Sequence, residues 1–267
     1  MSYPPPTIED LTQGSVSSNN ASFTLTKPAG AVAGSFLLAL IYTKRSGNQL
    51  IPTTVPSGWI LITANSEASF GTAWAYYYKI ATSSEPASYS WGSATSCQWA
   101  GGILVLSGVD QADPIGAMST ANVGSSAGFT VSVGPLERRN SLLIFGLLKP
   151  YWGVYGVTAF GATANLVDQL VSTGSSSFRG LAFALPGGAL GGTSFGAFTQ
   201  ATNTEVNGYH VRGVSFELRG VSTRNLKVRD AGVWKDPSPF SVVNGGIWKE
   251  PEQVAVRDAD IWKEAYA

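Results

Sequence analysis

The sequence predicts an all-β protein. It reads as a jelly-roll-like two-sheet β-sandwich built from two similar halves, followed by a small tail of repeated β-hairpins. Three observations lead there. Glycine is frequent, at 31 of 267 residues, and short β-prone runs alternate with turn residues. No long segment carries the 3.6-residue apolar period of an amphipathic helix. One succession of runs occurs twice between residues 22 and 220, and a shorter unit occurs three times at the C-terminus.

Taken in order, residues 1–21 are polar and are assigned to an N-terminal arm. Ser22-Phe23-Thr24-Leu25-Thr26 alternates apolar and polar, the pattern of a half-buried strand. Phe36 to Tyr42 is continuously apolar, as in a strand covered on both faces. Pro52 to Gly58 is a loop rich in turn residues. Trp74-Ala75-Tyr76-Tyr77-Tyr78 is a strand with Trp74, Tyr76 and Tyr78 on one face, which reads as core. Ser88–Trp91 and Gly102–Gly108 close this half.

The second half repeats the order at an offset of 106 residues. Gly128-Phe129-Thr130-Val131-Ser132 answers Ser22–Thr26, Ser141–Gly146 answers Ser35–Leu40, and Gly180–Leu185 answers Trp74–Ile80. Thr193-Ser194-Phe195 and Val214–Gly220 answer the two closing runs. The halves span 22–110 and 128–220 within one domain, 22–221, since about 90 residues alone make a thin core.

After Gly220 the composition changes. Residues 222–267 hold seven basic and seven acidic residues, against 20 charged residues in all that precedes. Three near-copies of one unit follow: Val228–Pro237, Val242–Pro251 and Val256–Ala265, with Trp234, Trp248 and Trp262 spaced by 14. Each places Asp or Asn and small residues between two β-prone triplets, which is hairpin chemistry. The expectation is a Trp-repeat β-meander over 222–267. A unit this short cannot bury its own apolar face, so the three tryptophans are assigned to assembly.

Net charge is zero, so no electrostatic footprint for nucleic acid is present. The longest apolar run, Ala31 to Tyr42, is too short to cross a bilayer, which takes about 20 residues. No basic segment opens the chain, so the expectation is a product of a cytoplasm without a cleaved signal. The lone Cys97 reads as a buried thiol. His210, the one histidine, lacks any nucleophile-elbow context. Asp110 and Asp113 read as turn residues before Pro114, with a weak calcium site as the alternative. Asp168, Glu205 and Glu217 are carboxylates that glycoside hydrolysis could use, but no spacing pairs them. The Pro186–Gly192 run has no lysine or helix after it and is no phosphate loop. No metal and no cofactor is expected. Tyr151, Trp152 and Tyr155 form an aromatic loop after Lys149-Pro150; flat rings with polar edges there suit sugar stacking, a subunit contact or simple packing.

Several of these runs also resemble a known group. Gly34–Ile41, Pro56-Ser57-Gly58-Trp59, Glu85-Pro86-Ala87-Ser88-Tyr89-Ser90-Trp91 and Ser107–Ile115 resemble β-sandwich proteins of tailed bacteriophages and prophages. Val228-Arg229-Asp230-Ala231-Gly232-Val233-Trp234-Lys235 resembles terminal repeats of phage tail and tail-fibre-associated proteins. The resemblance implies a non-enzymatic virion protein made in a bacterial cytoplasm. It would sit on an external appendage and contact other virion proteins and a host surface glycan or protein. A homotrimer is expected, because repeated short β units complete their sheets between chains. A capsid-decoration or head–tail joining protein without ligand is the structural alternative, and a carbohydrate-active enzyme on a β-sandwich is the catalytic one.

Overall fold

The computed structural model describes residues 5–45, 51–67, 71–123, 130–131, 140–150, 165–171, 178–186, 198–199 and 211–221 of the sandwich. In the tail it describes 228–230, 233–235, 242–244, 247–249, 254–258 and 261–265. All regular structure among the described residues is β. The chain divides into a compact unit Pro4–Gly220 and a second unit carrying Val221–Ala267.

The first unit holds two five-stranded antiparallel sheets. The first sheet contains β1 (Thr7–Thr26), β2 (Phe36–Lys44), β3 (Ile60–Glu67), β4 (Thr72–Ile80) and β5 (Ser88–Ser107), in the order β1-β5-β2-β4-β3. The second contains β6 (Ile115–Val123), β8 (Leu142–Pro150), β9 (Asn165–Val171), β10 (Phe178–Pro186) and β12 (Val211–Leu218), in the order β6-β12-β8-β10-β9. A small ribbon joins β7 (Thr130–Val131) to β11 (Phe198–Thr199). Substituting β6, β8, β9, β10 and β12 for β1 to β5 turns one order into the other, so the two halves share a topology. The offset of 106 is kept to the residue where it matters most. Phe36–Lys44 becomes Leu142–Pro150, and Thr72–Ile80 becomes Phe178–Pro186.

Two expectations shift. The sequence predicts an arm over 1–21, but β1 begins at Thr7 and pairs along β5 from Thr7↔Ser107 to Thr26↔Ser88. The Ser/Asn-rich stretch hides this strand because it is an edge and its residues face water. The sequence also sets Phe195 against the Tyr89 run. In the structure Phe198 pairs with Val131 as Tyr89 pairs with Leu25. The longer connection after Pro186 displaces the counterpart by three residues.

The sheets face each other, with β9 against β1 and β5, β10 against β2, and β8 against β4. Strand order is therefore reversed between them, as a pseudo-twofold axis along the strands requires. Their shared core takes Phe36, Leu38, Leu40, Tyr42, Trp74 and Tyr76 from the first half and Leu142, Ile144, Val214, Phe216 and Leu218 from the second. Trp74 and Tyr76 are core, as the strand pattern predicts. The opposite face of the first sheet has a core of its own. Register shifts between Val16 and Ser22 bend the β1–β5 ribbon, so Phe23, Leu25, Tyr89 and Trp91 fold back over Leu37, Ala39 and Ile41. This explains why every residue of β2 is buried.

The halves are not copies at their contact. Leu40 faces Tyr76 across the first sheet, while the equivalent pair in the second sheet is Gly146 and Ala182. A Cβ on Gly146 would fall on the Tyr76 hydroxyl. Tyr76 is thus a knob seated where the second half has no side chain, and its Oη donates to Tyr42 Oη at 3.0 Å. Burial pushes both phenols above their ordinary range, so the pair stays neutral.

Candidate functional site

The sequence motifs of the first half meet on its outer face. Pro56-Ser57-Gly58-Trp59 forms a turn in which the Trp59 N–H donates to the Pro56 carbonyl at 3.4 Å. Gly58 sits at φ 82°, the left-handed region that glycine enters without strain. The turn sets Trp59 edge-on to Tyr89, with centroids 5.2 Å apart, and to Trp91 at 5.4 Å. Tyr77 closes the group at 6.4 Å from Trp91.

Glu85 ties this cluster to the loops. Its Oε2 accepts from Tyr89 Oη at 2.7 Å and pairs with Lys79 Nζ at 2.8 Å. Its Oε1 accepts from the Thr82 N–H at 2.8 Å and Thr82 Oγ1 at 3.0 Å. Lys79 also donates to the Ser57 carbonyl at 3.2 Å and lies 5.6 Å over the Tyr89 ring. Burial alone would raise the Glu85 carboxyl; the bonds from Lys79, Thr82 and Tyr89 outweigh it and hold the pKa at about 2. Burial and the neighbouring carboxylate both push the Tyr89 phenol up, so it remains a donor. Trp59 is only 8% exposed and Trp91 is fully covered, so these rings are spent on one another. Pro56–Trp59 and Glu85–Trp91 thus build the fold here, with the rings of Trp59, Tyr89 and Trp91 buried.

This cluster makes a pH prediction. The folded pKa of Glu85 lies below its ordinary value of 4.5, so its contribution is complete above that value and is lost as pH falls toward about 2. After allowance for solvent screening, the loss is on the order of 1–2 kcal/mol. Denaturant melts of wild type and Glu85→Gln should therefore differ at neutral pH and converge at acid pH. Curves that stay parallel would reject the assignment.

A second polar cluster closes the sandwich where the halves join. Glu217 is fully buried, accepts from Ser141 Oγ, and accepts from the Ala117 N–H at 3.2 Å. Arg219 pairs with Asp113, and its carbonyl receives the Asp110 N–H at 2.9 Å. The Asp113 N–H donates to the Asp110 carbonyl at 3.2 Å, and Asp110 Oδ1 accepts from the Ala112 N–H at 3.1 Å. Asp110 and Asp113 are therefore turn residues clamped to the end of the last sandwich strand. No group of three or more His, Cys, Asp or Glu able to hold a metal occurs among the described residues.

At the far end of the shared core, Lys44 lies opposite Thr72 on one side and Gln98 on the other. Burial lowers its ammonium to about 8. Cys97 is buried as expected, and burial raises its thiol, which disfavours the reactive thiolate.

The aromatic residues assigned to ligand or interface contact, Tyr151, Trp152 and Tyr155, lie outside the described residues, as does His210. β8 ends at Pro150, immediately before them. The tail tryptophans lie on strands. Each repeat is one hairpin: β13 (Val228–Asp230) with β14 (Val233–Lys235), β15 (Val242–Asn244) with β16 (Ile247–Lys249), and β17 (Val254–Asp258) with β18 (Ile261–Ala265). Trp234 is opposite Arg229, Trp248 opposite Val243, and Trp262 opposite Arg257. The pairs Asp230↔Val233, Asn244↔Ile247 and Asp258↔Ile261 leave two residues for each turn, so Asp and Asn end the first strands. Among the described residues each hairpin is a separate two-stranded sheet, where a meander would share one.

Sequence reasoning missed the Glu85–Lys79 tie, the Glu217–Ser141 cluster and the Tyr76 socket. A glutamate directly after a buried aromatic, in an apolar closing strand, is the signal that could have flagged Glu217. Comparison of the chain with family models, with curated proteins and with solved structures finds no match.

Proposed function

We propose that this chain is a structural protein of a tailed-bacteriophage virion, carried on an external appendage and acting by contact without catalysis. The observation that carries the reading is the triplicated terminal hairpin, set in its own unit, after a sandwich whose ring clusters among the described residues are buried. A repeated small β unit at a chain end suits docking to other virion proteins. The resemblance of Val228–Lys235 to phage terminal repeats supports the same reading. The host-facing contact, a surface glycan, falls to Tyr151, Trp152 and Tyr155. The carbohydrate-active alternative loses one of its carboxylates, because Glu217 is fully buried and engaged with Ser141 and Ala117.

Immunogold electron microscopy of intact virions, with antibody to this chain, tests the proposal. Label at the tail tip or fibres is the expected result, and a glycan screen with Trp152→Ala would follow. Label spread over the capsid would replace the appendage with decoration. Unlabelled virions would remove the virion reading.

A further inference from the structure

We propose that Lys44 and Gln98 form an intramolecular isopeptide cross-link between β2 and β5, closing in the folded chain without an enzyme. Lys44, Thr72 and Gln98 stand in one row across the first sheet, with Lys44 opposite Thr72 on β4 and opposite Gln98 on β5. Each lies two residues along its strand from a member of the shared core: Tyr42, Trp74 and Ala100. Residues two apart on a strand share a face, so the row faces the inter-sheet space at the end of that core. All three are buried, with Thr72 at 1%, Lys44 at 4% and Gln98 at 7% exposure. An amine and a carboxamide are thus neighbours out of water.

Directly opposite residues hold their Cβ atoms about 5 Å apart, inside the combined reach of a lysine and a glutamine side chain. The attack is therefore intramolecular, and folding settles its orientation. Burial lowers the Lys44 ammonium to about 8, so roughly a tenth of it is uncharged and nucleophilic at neutral pH. Gln98 Nε2 donates to the Ser17 carbonyl on β1 at 3.1 Å. Because β5 lies between β1 and β2, the nitrogen that must leave is held on the side away from the incoming amine. Beside Lys44, Thr72 Oγ1 is buried and has no hydrogen-bond partner among the described residues. Its hydroxyl can take a proton from the attacking amine and pass one on. The Lys44 Nζ bonds to Gln98 Cδ, the Cδ–Nε2 bond breaks, and one amine proton leaves on Nε2. The products are one secondary amide and one ammonia, and the step needs no oxidant or co-reactant. The bond would tie β2 to β5 next to the register shifts that bend the β1–β5 ribbon, and so lock that end of the first sheet.

Intact-mass spectrometry of the purified full chain under denaturing conditions tests this. Wild type should be lighter than its sequence by one ammonia, and a tryptic digest should contain a peptide that joins the Lys44 and Gln98 segments. Lys44→Arg, which keeps the charge, and Gln98→Leu, which keeps the bulk, should each show the full mass of their own sequence. The joined peptide is read on wild type, so the result does not depend on whether either variant folds. A wild type at full mass, with Lys44 and Gln98 recovered in separate peptides, would overturn the proposal. An ammonia loss that persists in Lys44→Arg would overturn it too, since cyclisation at Asn244-Gly245 would give the same mass without the cross-link.

Discussion

Gly146→Leu is expected to lower the unfolding free energy of the sandwich by about 3 kcal/mol, the upper range for forcing methylenes into a packed core. The added side chain would enter the space of the Tyr76 hydroxyl between the two sheets. Tyr76 cannot retreat, since it is fully buried among Tyr42, Trp74 and Phe216. Tyr76→Ala alone should also destabilise, by about 3–5 kcal/mol, through the cavity left behind. The double variant should recover much of the loss, because it moves the large residue from one sheet to the other. Chemical denaturation of the four proteins gives the coupling energy. Additive losses would mean that Tyr76 and Gly146 do not form a knob and socket.

Trp91→Ala is expected to cost about 3–5 kcal/mol, the range for removing a large aromatic from a core. At the entropy of unfolding typical of a domain this size, that is a fall in Tm on the order of 10 °C. Trp91 is fully buried and shares the outer cluster with Trp59, Tyr77 and Tyr89. Its loss would free the turn at Gly58 as well as the β1–β5 ribbon. Trp91→Phe should lose less, because a ring still separates Trp59 from Tyr77. Thermal melts followed by circular dichroism decide the point, and an Ala variant that melts with wild type would show that the ribbon is not held by this cluster.

Much of the fold was legible because it depends on local pattern. The continuous apolar run at Phe36 marks a strand covered on both faces, and it is one. The repeat at 106 residues marks two halves, and β2/β8 and β4/β10 keep that spacing. The polar start of β1 was not legible, since an edge strand facing water has no apolar alternation to betray it. The shift from Phe195 to Phe198 was lost because loop length carries no periodic signal. In the tail, the 14-residue period predicted the hairpins, but pairing between hairpins depends on contacts that a repeat does not encode.

The candidate sites divide the same way. Trp59, Tyr89 and Trp91 were conspicuous as motif residues, yet conspicuousness could not distinguish a binding face from a core. That distinction required burial, which depends on where the bent ribbon lands.

By itself the sequence determined the all-β class, the doubled sandwich and the hairpin tail. Those follow from side-chain period, turn chemistry and charge density, which act within a few residues. Only the tertiary structure decided that Tyr76 enters the second half at Gly146, that Glu85 gathers Lys79, Thr82 and Tyr89, and that Arg219 clamps the Asp113 turn. The physical reason is range: the Tyr76–Gly146 and Asp113–Arg219 contacts join residues far apart in the chain, and even the short-range Glu85 tie depends on where the folded sheets place its partners.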